Sequence, residues 1–170
     1  MTAIRSTYGL ATAIATFGLF AASAAALDKK PVITLELAKK MIAGCEAKAQ
    51  QQGWKMNIAV VDNGANLVAF ERMDGAYLGS GYVAQHKAMS SVNIPIPTRT
   101  IGEIAYGKDQ QPPRLPGIAL IPGIIAFPGG LPVTTADKTL IGAIGVSGST
   151  SDNDEICAQA GLDAVKDLLD

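Results

Sequence analysis

The stretch Gly129–Thr150, GGLPVTTADKTLIGAIGVSGST, decides how the chain folds. Gly129-Gly130 loosens the backbone and Pro132 fixes φ, so the segment opens as a turn. Val133 begins a short extended run, and the polar Asp137-Lys138 suits a hairpin tip. Leu140 to Gly148 then reads as an apolar strand bounded by small residues. Gly142 and Gly145 weaken that strand, because glycine loses the most backbone freedom and packs no side chain. They are tolerable where another backbone or a flat ligand must come close. Ser151 or Asp152 is expected to cap the helix that follows. Asp154-Glu155 falls in its first turn, where acids face the positive end of the helix dipole.

Working outward, Thr34 to Gln52 reads as a first helix. Thr34 is its cap, Leu37, Met41, Ile42, Cys45 and Ala49 form its apolar stripe, and Gly53 is its stop. Met56 to Asp62 and Ala65 to Arg72 flank Asn63-Gly64, a strong hairpin signal. Leu78 to Ser91 is a second helix rich in small residues. Thr100 to Tyr106 is a short third helix, capped by Thr98 or Thr100. Lys108 to Gly117 is a polar loop, and Leu120 to Phe127 reads as a strand approach bent by Gly123 and Pro128. Strands joined by such short turns pair antiparallel. The expected class is α+β, with one antiparallel sheet of about five strands and helices packed against it.

The chain has 170 residues. Residues 1–26 read as a signal peptide: one Arg near the start, an uncharged apolar run from Tyr8 to Ala22, then A-x-A cleavage sites at Ala22-Ser23-Ala24 and Ala24-Ala25-Ala26. The apolar run is short for a spanning helix. The expected product is exported, periplasmic or extracellular, with residues 27–170 as one domain. Removing one Arg leaves 14 − 1 = 13 basic residues against 15 acids, a net charge of −2 with no basic block. Nothing there fits nucleic acid or an anionic membrane surface. The two cysteines, Cys45 and Cys157, lie one near each end of the domain. An oxidising compartment allows a bridge between them. Two small buried residues is the other reading.

Three blocks resemble the GlcG/HbpS family of small heme-binding or heme-associated domains. They are the GG-x-P hairpin with its G-A-I-G-V-S-G strand, the run Asn57–Ala76 (NIAVVDNGANLVAFERMDGA), and Ala84-Gln85-His86-Lys87-Ala88. The likeness spans about residues 33–168. It implies the same α+β sandwich, a heme or similar small anionic ligand, and homo-oligomers built from dimers. The helix departs from the commonest family pattern at Met89-Ser90-Ser91, and the ligating residue varies between members.

His86 is the only histidine. A neutral imidazole is a good axial ligand for heme iron, and a lone histidine is also often just a polar surface residue. Heme needs apolar walls and cations for its acid groups. Tyr77, Tyr82 and Met89 are candidate walls, and Lys87, Arg72 and Arg99 candidate cations. Arg72-Met73-Asp74-Gly75-Ala76 is either a carboxylate-holding strand end or simply a turn. Catalytic patterns are thin. There is no G-x-S-x-G, H-E-x-x-H, C-x-x-C or P-loop. Asp152, Asp154 and Glu155 could serve a hard cation, although the helix dipole explains them more simply. The alternative to a binding protein is an enzyme or accessory subunit acting on a small organic acid, with Lys87, Arg72 and His86 as acid-base and carboxylate-binding groups.

Overall fold

The computed structural model describes residues 29–169, so the leader read at 1–26 lies outside the described residues. Helix α1 (Leu35–Gln52) starts where Thr34 Oγ1 accepts the Leu37 amide at 3.1 Å, and it stops at Gly53. Strands β1 (Asn57–Asp62) and β2 (Leu67–Arg72) form the expected hairpin. Helix α2 (Leu78–Asn93) runs one residue pair beyond its expected end. Helix α3 (Thr98–Tyr106) follows, with Pro97 rather than a threonine at its cap position. Strands β3 (Gly130–Thr134) and β4 (Leu140–Ser147) make the glycine-rich hairpin. Helix α4 (Ser151–Asp163) closes the fold, capped by the Thr150 side chain rather than by Ser151 or Asp152.

The sheet has four strands, not about five, in the order β2-β1-β4-β3, and every pair is antiparallel. The expected fifth strand, Leu120–Phe127, is irregular apart from the end of a 3-10 turn at Pro116–Leu120. Gly123 takes a left-handed conformation there (φ 84°), and prolines flank it at 122 and 128, so no ladder can form. Its apolar residues join α3 in a separate cluster around Ile101, Ala105, Ile118 and Ala126.

Alternation along the strands sorts the rest of the core. Ile58, Val60, Ile144 and Val146 face α1 and α4, with Met41, Cys45 and Cys157. Ala59, Val61 and Ala143 face α2 through Ala84, Ala88 and Val92. The small residues set the spacing on that side. A Cβ on Gly145 would lie 2.1 Å from the Ala84 carbonyl oxygen and 2.4 Å from the Ala88 nitrogen. The partner that Gly145 makes room for is therefore a helix backbone, not a flat ligand. Cys45 and Cys157 form a disulfide that ties α1 to α4, with Cα atoms 4.7 Å apart and both residues fully buried. Among the described residues, no helix is long and apolar enough to cross a membrane.

Candidate functional site

Helix α2 carries four of the candidate residues, Tyr82, His86, Lys87 and Met89, and its two flanks differ in kind. On the inner flank Lys87 is fully buried. Its ammonium donates to Asp154 Oδ2 at 2.7 Å and to the Val146 carbonyl at 2.9 Å. The Phe127 ring covers it at 4.9 Å. Asp154 Oδ1 accepts the Gly148 and Ser149 amides at 3.1 and 3.0 Å. One ion pair thus joins α2, the end of β4 and the start of α4. Gly129 (φ 122°) passes so close that a Cβ there would lie 2.6 Å from Lys87 Nζ and 2.7 Å from Val146 O. Burial pushes the Lys87 ammonium down and the Asp154 carboxyl up, and each partner's charge opposes the shift of the other. In this arrangement the Lys87 charge is already satisfied, so no ligand carboxylate reaches it.

On the outer flank Leu78, Tyr82 and His86 follow one another at i, i+4 and i+8, so they share one face of α2. Leu78 and Tyr82 are exposed, at 81% and 61%, and His86 is half-buried. The Tyr82 and His86 rings stack with centroids 3.7 Å apart and planes 26° apart. His86 Nδ1 lies 3.0 Å from the Tyr82 carbonyl oxygen. A carbonyl can only accept, so Nδ1 carries the hydrogen of the neutral ring. That leaves a lone pair on Nε2, the arrangement a metal-binding imidazole needs.

The remaining predicted residues scatter. Met89 packs its side chain against the apolar cluster between α2 and the sheet. Arg72 is exposed at the end of β2, paired in register with Asn57, whose side chain reaches Tyr77 and Ser80 near the start of α2. Arg99 is held by Asp152 at 2.6 Å and Glu155 at 2.8 Å. The acids at the start of α4 therefore carry cations of their own, Lys87 and Arg99, and no metal-binding cluster occurs among the described residues. His86, Lys87 and Arg72 do not converge on a common pocket. Tyr82 and His86 are in direct ring contact.

Sequence reasoning missed Asp154 as the partner of Lys87, since an acid in a first helical turn needs no further explanation. The available signal was topological. Strand β4 packs on α2 through Gly145, so the acid just after β4 is the nearest one to a lysine on that helix.

This architecture, a four-stranded antiparallel sheet between helices with a lone imidazole on its small-residue helix, defines a compact α+β class. Residues 33–163 match the family described as "Haem degrading protein HbpS-like". The chain is 36% identical over 138 residues to a Citrobacter freundii protein, "Uncharacterized 15.0 kDa protein in dhaT-dhaS intergenic region", covering 80% of this chain and 94% of that one. It is 30% identical over 121 residues to Protein GlcG of Escherichia coli K12, covering 71% and 85%. The crystal structure of HbpS superposes with a TM-score of 0.73 at 32% identity, covering 82% of this chain and 94% of HbpS. A structure described as a PduOC:heme complex shares the fold at 22% identity, with a TM-score of 0.69 and coverage of 79% and 95%. The chain belongs to the GlcG/HbpS family.

Proposed function

We propose that this is an exported heme-binding protein, and that His86 Nε2 is the iron ligand. The observation that carries the reading is the hydrogen bond from His86 Nδ1 to the Tyr82 carbonyl. It fixes the tautomer and orients the ring, as a second partner does for metal-binding histidines generally. The donor set suits the group. One neutral nitrogen lies beside an apolar stripe, Leu78 and Tyr82, that extends about 12 Å from Leu78 to His86 at the helical rise per residue. Arg72, near the start of that stripe and without an ion-pair partner among the described residues, is the cation best placed for an acid group of the ligand. Bound heme would supply redox-active iron. What this chain supplies is the ligating nitrogen, the stacked Tyr82 ring and the Arg72 charge.

The family description and the heme complex of a fold relative support the ligand class. Export rests on the leader pattern at 1–26 and on the disulfide, since such bridges persist in oxidising compartments. Homo-oligomers are part of the same reading, because Leu78, Tyr82, Leu120 and Ile121 leave apolar surface uncovered on one protomer. The alternative, an acid-base enzyme using Lys87, has no support in the geometry, because Asp154 and Phe127 enclose that amine. The test is a hemin titration of the mature protein. A saturable Soret band that moves or weakens in His86→Ala is expected, and absence of any saturable band would remove the heme reading. Following the pigment with a reductant present then reads whether bound heme is consumed.

A further inference from the structure

The excursion between α2 and β3 ends in an irregular segment, residues 121–128, that lies over the candidate site. Two hydrogen-bond contacts from one α2 side chain, Ser90, reach it. The Ile125 amide donates to Ser90 Oγ at 2.8 Å, and the same hydroxyl donates to the His86 carbonyl at 2.6 Å and reaches the Gly123 carbonyl at 3.4 Å. Gly123 lies against the imidazole. A Cβ there would stand 3.5 Å from His86 Cδ2 and 3.9 Å from Nε2, so the backbone faces the ring edge that bears the lone pair. At the far end Phe127, a residue 41% exposed, rests its ring over Lys87. Left-handed glycines stand at Gly123 and Gly129, and neither helix nor strand occurs between them. Ile124 and Ala126 of the segment pack with α3 in a cluster apart from the main core. An irregular unit outside the main core, with no strand ladder of its own, opens at lower free energy than the sheet.

We propose that residues 121–128 form a strap that closes over His86 Nε2, and that the Ser90 hydroxyl is the catch that holds it. Ser90 sits one turn beyond His86 and touches both the histidine backbone and the strap, so releasing it uncovers the imidazole without disturbing α2. A group approaching Nε2 from the side of Gly123 must displace that residue, so ligand entry there is gated by strap opening. The gating consequence rests on the heme reading above. The strap itself does not.

The experiment separates the two. Because His86 is the only histidine in the chain, diethyl pyrocarbonate modification of the imidazole reports this one ring. Ser90→Ala removes the catch and keeps a good helix former at that position. It is expected to raise the modification rate about five-fold, the factor that loss of roughly one hydrogen bond gives. Hydrogen exchange of the amides at 123–127 should quicken while those of β4 stay protected, and hemin should associate faster with an unchanged Soret maximum. Phe127→Ala, which loosens the other end at an exposed position, should act in the same direction. An unchanged modification rate in both variants would overturn the strap. Faster modification with an unchanged hemin association rate would overturn the gating. No Soret band in any form would sink the heme reading and leave the modification rates to judge the strap.

Discussion

Asp154→Ala is the substitution whose cost follows most directly from the structure. It leaves the buried Lys87 ammonium with the Val146 carbonyl, the Phe127 ring and the more distant charge of Glu155, and no carboxylate in hydrogen-bond contact. An unpaired buried charge costs about 3–5 kcal/mol. The escape is to lose the proton. From the ordinary lysine value of 10.5, deprotonation at pH 7 costs about 5 kcal/mol at roughly 1.4 kcal/mol per unit. Both routes reach the same scale. Their pH signature identifies the second. An orphaned lysine has a folded pKa below its unfolded one, so between those values the unfolded chain holds the extra proton and stability rises with pH. The penalty relative to wild type should therefore be largest near pH 7 and shrink as pH rises toward 9.5. Lys87→Met should show the opposite sign. It leaves Asp154 buried with its two amide donors, which raises the folded carboxyl pKa, so its penalty grows as pH rises. Urea unfolding followed by the single tryptophan, Trp54, measures both. A penalty below about 1 kcal/mol at pH 7 would refute the reasoning, as would one that does not shrink toward pH 9.5.

Two further outcomes follow from the packing. The Cys45–Cys157 bridge closes a loop of 112 residues, and its removal in Cys45→Ala/Cys157→Ala should cost about 4 kcal/mol, read by urea unfolding; the native protein should offer no alkylatable thiol without reductant. Gly145→Ala places a Cβ within 2.1 Å of the Ala84 carbonyl, so α2 must lift off the sheet, and a loss of at least about 3 kcal/mol or failure to fold is expected from thermal melts and yield.

Much of the frame is readable from local chemistry. Thr34 and Gly53 bracket α1 and Asn63-Gly64 turns the first hairpin, because caps and turns are settled by adjacent residues, whereas the turn expected at Gly129–Pro132 is already strand from Gly130 on. Leu120–Phe127 misled for the converse reason. Its apolar content suits a strand, but its side chains serve a satellite core with α3, and only tertiary context reveals that. The site divides along the same line. The aromatic partner of His86 lies four residues away on the same helix, within reach of pattern reasoning. The acid that claims Lys87 stands 67 residues on, beyond it. Gly145 was readable as a close approach, but its sequence does not say whether a helix or a ligand approaches.

The central claim is tested most directly by chemical rescue at the proposed ligand. His86→Gly, titrated with hemin, should lose the wild-type Soret band, and added imidazole should restore its position by filling the vacated place on iron. An identical band and affinity in His86→Gly without imidazole would contradict the account.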